Sequence, residues 1–221
     1  MTSPMIVDQA RNQILQSIRE NLAASAPLDA MEATAHARRD HPPLVARAPS
    51  PEPSSPVQRF TTQLVAVGAQ WTLVRGEAEA AHVLRRILTA AGAERVAGSD
   101  APLIRRLLPE SRTDLSRDEL FTCDAGVTTA QLGIAETGTL VLESARERSR
   151  LASLVPPIHV ALLSTRCICD SLGDALARVD PTSHAITLIT GPSRTSDIEL
   201  TLVVGVHGPQ TVHVLLLEEE A

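Results

Sequence analysis

The sequence predicts an α/β protein in which a mostly parallel sheet is covered by helices on both sides. After residue 56, short apolar runs alternate with amphipathic helical patterns. These runs are apolar at successive positions, which is typical of strands buried on both faces. The hydrophobic fraction of 43% in 221 residues is enough for one sizeable core. We therefore expect one α/β domain with an N-terminal extension.

The extension has two parts. Residues 1–23 are predicted to form an amphipathic helix, because apolar residues recur every four positions from Ile6 to Leu22 and Pro4 suits a first helical turn. This apolar stripe needs a partner surface, either its own domain or another subunit. Residues 24–56 hold seven of the fifteen prolines and are predicted to form a Pro-rich linker. The domain proper is predicted to span residues 57–221.

The domain begins with a helix and continues in β-α-β order. The patterns predict a helix in VQRFTTQLVAVGAQ, a strand in WTLVR, a helix in EAEAAHVLRRILTAAGA, a strand in RVAGS and a helix in APLIRRLLPE. Further strands are predicted in TGTLVLES, IHVALLS and AITLIT, with a helix in CDSLGDALARVD. The segment LTLVVGVHGPQTVHVLLLEE predicts an antiparallel hairpin that turns at Gly208 and Pro209.

Composition argues against several classes of protein. The net charge is −6, and three aromatic residues offer few stacking surfaces, so no nucleic-acid partner is expected. Cys123, Cys167 and Cys169 include no C-x-x-C pair, so we expect no metal site and no cofactor in this chain. There is no signal-peptide pattern and no apolar run of membrane-spanning length, which favours a cytoplasmic protein.

The first candidate for a site is the turn before the strand TGTLVLES. Its residues are Glu136, Thr137, Gly138 and Thr139. Glu136 is suited to bind a hydroxyl group or act as a base, and the two threonines are suited to donate to an anion. The alternative is a tight turn in which the glycine serves backbone geometry and Glu136 is solvated.

The second candidate is the stretch GPSRTSDIE. Ser196 and Glu199 have the spacing of a capping box, which predicts a helical turn whose free amides lie near Arg194 and neighbouring hydroxyls. A guanidinium in such a pocket binds a carboxylate or phosphate through two hydrogen bonds. The alternative is an internal ion pair of Arg194 with Asp197, Glu199 or Glu136. The candidate residues of this stretch are Gly191, Ser193, Arg194, Thr195, Asp197 and Glu199.

The remaining histidines give weaker signals. His207, in GVHGP, is suited to titrate as an acid or base, although a histidine at a turn more often donates a capping hydrogen bond. His159, inside PPIHVALL, is more consistent with a core residue than with a ligand. The common phosphate-loop, dinucleotide, nucleophile-elbow and zinc-protease motifs are absent from the sequence.

Four stretches together carry a family resemblance: GIAETGTLVLES, LVPPIHVALL, GPSRTSDIE and GVHGPQTVHVLLL. In order and spacing, over about Val57 to Glu218, the chain resembles the LUD-domain family of lactate-utilisation proteins. The resemblance implies a three-layer α/β/α sandwich similar to CoA transferases, ribose-phosphate isomerases and formyltetrahydrofolate cyclo-ligases. It also implies a cytosolic role in oxidising L-lactate to pyruvate, beside partner subunits of which at least one carries iron–sulfur clusters.

Three hypotheses for the function remain open. In the first, the chain is a subunit without iron–sulfur clusters, not redox-active alone, that binds a small carboxylate or its partner subunits through the Arg194 pocket. In the second, it is a freestanding isomerase, transferase or cyclo-ligase that acts on a phosphorylated or CoA-linked substrate. In the third, it is an assembly module whose N-terminal helix docks on a partner. The sequence assigns no catalytic residue.

Overall fold

The computed structural model describes residues 4–24, 55–147, 150–196, 202–204 and 208–218. The chain divides into two compact units, residues 1–51 and 52–221. Helix α1, Pro4–Ala24, lies in the first unit, in the segment where the sequence predicts a helix. On α1 the side chains of Ile14, Leu15 and Ile18 are exposed. The predicted Pro-rich linker, residues 24–56, lies outside the described residues except for Ala24, which ends α1, and its last two positions.

The second unit contains the described sheets and the other described helices. Its described helices are α2 (Pro56–Ala66), α3 (Gly76–Ala90), α4 (Pro102–Leu107), α5 (Arg117–Leu120) and α6 (Leu172–Arg178). Its described strands are β1 (Gln70–Arg75), β2 (Val96–Gly98), β3 (Ala125–Thr129), β4 (Leu132–Ile134), β5 (Thr139–Glu143), β6 (Ile158–Ser164), β7 (Ile168–Cys169), β8 (Ile186–Ile189), β9 (Arg194–Ser196), β10 (Leu202–Val204) and β11 (Thr211–Glu218). Short 3-10 helices cover Arg150–Ser153 and Thr165–Cys167. In this part of the chain, no helix is long and apolar enough to cross a membrane.

The main sheet has five strands in the order β1-β11-β6-β3-β2. All of its neighbouring strands run parallel. The hairpin predicted around Gly208 and Pro209 is therefore wrong, since β11 pairs in parallel with β1 and β6. The physical reason is that β11 buries Val214, Leu215 and Leu216 on both of its faces, and such a strand belongs inside a parallel sheet. Strand β10 pairs instead with β9.

A second sheet has four strands in the order β7-β4-β5-β8. Strand β5 runs antiparallel to both β4 and β8. The sequence correctly predicts β5 and β8 as strands but assigns them to one mostly parallel sheet, which is wrong. Apolar character shows that a strand is buried and says nothing about its direction. Strands β3 and β4 are missed because AGVTT and LGI contain few of the large branched residues typical of strands.

Separate apolar clusters lie on the two faces of the main sheet. One joins Leu84 of α3 and Ile104 of α4 to Leu162 and Leu215 of the sheet. The other joins Phe60 and Leu64 of α2 to Leu140 of the second sheet and to Leu163 and Leu216 of the main sheet. The predicted α/β class, a parallel sheet flanked by helices, is confirmed. One flanking layer consists of α3 and α4, and the other combines α2 with the second sheet.

Candidate functional site

A cleft of about 720 Å³ lies at the carboxyl end of the main sheet. Strands β2 and β3 end at Gly98 and Thr129, and the residues that follow them line the cleft. Ligands of open α/β sheets bind outside the carboxyl ends of the strands, and the volume lies in the range of small-molecule sites. The polar residues lining the cleft are Asp100, Thr129, Gln131, Glu143, Arg146 and Arg178.

Hydrogen bonds fix one wall of the cleft. The Nε2 of Gln131 donates to the Oγ1 of Thr129 over 3.1 Å, and the Oε1 of Gln131 accepts from the Glu143 amide over 2.7 Å. Glu143 is 3% exposed, and its Oε2 accepts from the Asp180 amide at 2.8 Å and from the Ser183 hydroxyl at 3.2 Å. Because each of these groups is held by the next, the wall is organised before any ligand arrives.

A buried carboxyl group lies behind this wall. Glu147 is 1% exposed, and its Oε1 accepts hydrogen bonds from both the amide and the hydroxyl of Thr129. Its Oε2 has no hydrogen-bond partner among the residues that the structure places. Burial raises the pKa of Glu147, and the hydrogen bonds from Thr129 together with the nearby side chain of Ser99 only partly oppose this effect. Glu147 therefore holds a proton more tightly than an exposed glutamate.

Two arginines supply positive charge at the cleft. Arg146 and Arg178 both line it, and both side chains are exposed. The Nη1 of Arg178 donates to the Sγ of Cys169 over 3.0 Å, which directs its guanidinium. The pKa of Asp180 is lowered mainly by hydrogen bonds from Thr182 and, to a smaller extent, by the charge of Arg146. Guanidinium groups at the mouth of a cleft suit recognition of a carboxylate or phosphate.

Thiol and metal chemistry find little support here. Cys167 lines the cleft, and Cys169 is buried beside it. Burial raises the pKa of Cys169, so its thiol is disfavoured as a nucleophile. Within the described ranges no group of three or more histidine, cysteine, aspartate or glutamate side chains is arranged to hold a metal ion.

The two stretches that the sequence singles out meet at the other end of the main sheet. The Oγ1 of Thr139 lies 2.7 Å from the Oγ1 of Thr137 and 2.8 Å from the Oγ1 of Thr190. Gly138 and Gly191 both have positive φ, and both pack against the last turn of α2. A Cβ atom on Gly191 would lie 2.5 Å from the Val67 carbonyl oxygen, so glycine is needed for this close approach.

Arg194 contacts the same helix end. Its Nη2 donates to the Val67 carbonyl oxygen over 2.6 Å, and the amide of Ser193 donates to the Pro209 carbonyl oxygen over 2.8 Å. Val67 precedes β1 and Pro209 precedes β11, so both contacts lie at the amino end of the main sheet. Glu136 is exposed, and its amide donates to the Asp170 carbonyl oxygen.

Part of the second stretch lies beyond what the structure describes. Asp197, Glu199 and His207 fall outside the described residues, and Thr195 is described only through its backbone in β9. Ser196 is also in β9, which pairs with β10. At Ser196, where the sequence predicts that a helical turn begins, the structure has a strand. Arg194 stays a predicted anion-binding residue, with its guanidinium engaged at a helix end.

His159 is buried within the main sheet. Its side chain is fully buried, and its Nε2 lies 2.9 Å from the Oγ1 of Thr128. Burial lowers the pKa of His159 to about 4, so the neutral ring is strongly favoured. These observations agree with the interpretation of His159 as a core residue.

Most residues of the cleft are not among the predicted site residues. Gln131 lies between β3 and β4, two strands that the sequence does not predict, so its position carries no signal. Glu143 ends the predicted strand β5 and Glu147 follows it, but their place beside the cleft depends on the packing of that strand. The available signal was Glu143 at the end of TGTLVLES, because a carboxylate closing an apolar strand is an unusual buried charge. The contributions of Arg146 and Arg178 depend on the packing of the second sheet, which was not predicted.

The fold and the cleft define a small α/β protein with a ligand-sized site at the carboxyl end of a parallel sheet. Residues 57–217 match the family described as the LUD domain, and the chain belongs to that family. The family resemblance predicted from the four stretches is thereby confirmed.

Relatives extend this comparison. The chain is 37% identical over 159 residues to an uncharacterised protein of Neisseria meningitidis, covering 67% of this chain and 68% of that protein. It is 31% identical to lactate utilization protein C of Deinococcus radiodurans over 98% of this chain and all of that protein. The match to lactate utilization protein C of Bacillus licheniformis, at 36% identity, spans 42% of each chain.

A solved structure supports the fold. The crystal structure of a DUF162 family protein from Deinococcus radiodurans aligns with a TM-score of 0.59 at 24% identity. The alignment covers 75% of this chain and all of that one. At this identity the likeness concerns the fold alone. The more specific similarity to CoA transferases and ribose-phosphate isomerases stays a prediction.

Proposed function

We propose that this chain is a component of a lactate-utilisation system that carries no iron–sulfur cluster itself and binds a small carboxylate such as lactate or pyruvate. Relatives named lactate utilization protein C, one of them aligned over nearly the whole chain, support the biological setting. The observation that carries the ligand class is the cleft with Arg146 and Arg178 at the carboxyl end of the main sheet.

The cleft offers a carboxylate complementary groups. The guanidinium groups of Arg146 and Arg178 provide charge, and Thr129 and Gln131 provide uncharged polar groups on the wall. The buried carboxyl group of Glu143 already accepts hydrogen bonds from the Asp180 amide and the Ser183 hydroxyl, so its interactions are made within the protein. Asp100 also lines the cleft, so it is the two guanidinium groups, and not the net charge of the lining, that favour an anion. The cleft is larger than one lactate molecule and leaves space for a second molecule or for a group from a partner.

The system needs partners that carry electrons. Oxidation of lactate to pyruvate releases two electrons, and iron–sulfur subunits that bind this chain are the proposed acceptors. The exposed apolar side chains of Ile14, Leu15 and Ile18 on α1 are the proposed contact for such a subunit. Loss of co-purification after deletion of residues 1–24 would support this contact, and unchanged co-purification would argue against it.

Ligand binding tests the proposal directly. Calorimetric titration with pyruvate and with L-lactate is expected to show binding to the wild type and at least tenfold weaker binding to Arg146→Ala and Arg178→Ala. Arg86→Ala, an exposed arginine on α3, is the matched control and is expected to bind like the wild type. Equal affinity of all four proteins, or no binding of either acid, would contradict the cleft as the carboxylate site.

Growth tests the biological setting. A deletion strain without a second lactate dehydrogenase is expected to fail on L-lactate as sole carbon source and to recover with the wild-type chain. Normal growth of the deletion strain would remove lactate utilisation from consideration, whatever the cleft binds.

A further inference from the structure

The hydroxyl group of Thr129 connects the cleft to a buried acid. On one side it donates to the Oε1 of Glu147. On the other it accepts from the Nε2 of Gln131, which lines the cleft with Thr129 itself. Glu147 is 1% exposed and is absent from the cleft lining. Within the described part of the chain, Thr129 is the lining residue that donates hydrogen bonds to its carboxyl group.

A hydroxyl group has one hydrogen to donate and two lone pairs that accept. When Glu147 is ionised it only accepts, so the single hydrogen of Thr129 is used on Glu147. Gln131 occupies one lone pair, and the remaining lone pair makes Thr129 an acceptor toward the cleft. Thr129 then has no hydrogen left for a ligand.

Protonation of Glu147 reverses this arrangement. The proton is best placed on Oε1, because Oε2 is buried with no partner among the described residues. Glu147 then donates to Thr129 and fills its second lone pair. The hydroxyl hydrogen of Thr129 is then available to donate a hydrogen bond to a ligand in the cleft.

We propose that Glu147 decides whether Thr129 donates or accepts at the cleft, so that a ligand oxygen that only accepts hydrogen bonds is bound together with a proton on Glu147. Pyruvate is the simplest such ligand, since its carboxylate and keto oxygens all lack hydrogens. The choice of pyruvate rests on the function proposed above, whereas the coupling of Glu147 to Thr129 rests on the two hydrogen bonds alone.

The surroundings of Glu147 favour the protonated form. Burial is the largest cause of its raised pKa, and the negative charge of Asp100, at the end of β2, raises the pKa further. The hydrogen bonds from Thr129 and the nearby side chain of Ser99 act in the opposite direction. An approaching anionic ligand adds a further negative charge near Glu147, which strengthens proton uptake.

Calorimetry of pyruvate binding tests the coupling. Titrations between about pH 5 and about pH 8, in buffers of different ionisation enthalpy, are expected to show uptake of up to one proton. Above the pKa of Glu147 the affinity should fall about tenfold per pH unit. Glu147→Gln does not ionise, so it is expected to show pyruvate binding with no pH dependence and no proton uptake. Asp118→Asn, on exposed α5, is the control and should retain the wild-type behaviour.

Binding without proton uptake, or an unchanged pH dependence in Glu147→Gln, would overturn the coupling while leaving the carboxylate site intact. A second measurement needs no ligand. The carboxyl stretching band of Glu147, followed by infrared spectroscopy of wild type and Thr129→Val, is expected to titrate above the range of exposed glutamates and higher still without the threonine hydroxyl. Titration at the ordinary value in both proteins overturns the coupling. If no carboxylate binds at any pH, the proposed function fails, and this titration alone decides the role of Glu147.

Discussion

The guanidinium group of Arg194 and the main-chain carbonyl oxygen of Val67 are joined by a hydrogen bond of 2.6 Å. Val67 is the C-cap residue of α2, where carbonyl groups lack partners within the helix. A cation at this end also interacts favourably with the helix dipole. Arg194 therefore stabilises the junction between α2 and the segment that leads into β9.

Replacing Arg194 should affect stability before it affects binding. Arg194→Ala is expected to lower the free energy of unfolding by about 1 kcal/mol, because one hydrogen bond to a helix-terminal carbonyl is lost. Its affinity for pyruvate should equal that of the wild type, since the cleft lies at the other end of the main sheet. Urea denaturation and calorimetry measure the two quantities. A large loss of affinity in a protein of unchanged stability would return Arg194 to the ligand site.

Gly126 in β3 lies against the 3-10 helix Arg150–Ser153. A Cβ atom at this position would lie 1.8 Å from the Ala152 carbonyl oxygen. Gly126→Ala is therefore expected to cost about 3 kcal/mol or more, because backbone on both sides must move. Gly173→Ala, where the nearest atom is 3.7 Å away, is the control and should change stability by about 0.5 kcal/mol or less. Similar urea midpoints for the two variants would show that the 3-10 helix can move away from β3 at little cost in stability.

His159 makes the folded state sensitive to acid. Burial lowers its pKa from 6.5 to about 4. Between pH 6.5 and about pH 4, the imidazole is therefore protonated in the unfolded chain and neutral in the folded chain. The contribution of His159 to stability is complete above the unfolded pKa and is lost as the pH falls toward 4, by about 3 kcal/mol in total. The free energy of unfolding of His159→Gln should depend less on pH in this window than that of the wild type. The pKa of His213 is also lowered by burial, so some acid sensitivity should survive.

Glu147 should show the opposite dependence. Its pKa in the folded state is raised, so its favourable contribution is present at low pH and is lost as the pH rises through the folded-state pKa. Glu147→Gln does not ionise and is expected to become more stable than the wild type as the pH increases, with little difference in acid. Urea denaturation at several pH values measures the trend. A difference between the two proteins that stays constant with pH would mean that Glu147 is solvated.

The sequence predicts the described helices except α5, and most apolar strands, because their patterns are local. Phe60 and Leu64 mark the inner face of α2, and the apolar run around Leu162 marks β6. The direction of β11 is a non-local property, since it depends on where β1 and β6 lie. The dipeptide Gly208-Pro209 predicts a hairpin because such residues are common in hairpin turns. The same residues also occur where a chain turns from one sheet into another, as it does before β11.

For the candidate site too, local features can be predicted from the sequence and non-local features cannot. The sequence analysis treats the Thr137 stretch and the Arg194 stretch as separate candidates, whereas in the structure Thr139 contacts Thr190, the residue that precedes the Arg194 stretch. The cleft could not be predicted, because Thr129, Glu143 and Glu147 meet only after the second sheet packs beside the first. Glu147 in particular has no local signal of burial, since it lies in the charged sequence ARERSR.

The position of β11 has a consequence for synthesis. Among the described strands, β1 pairs in the main sheet with β11 alone, and β11 separates it from β6. Residues 70–75 therefore leave the ribosome long before residues 211–218 exist to pair with them. Until then Trp71 and Val74 lie on a strand with an unpaired edge, and α3 cannot close over a complete sheet. We expect the nascent chain to depend on chaperones during this interval, and a ribosome stalled before residue 211 to expose a protein that proteases readily recognise.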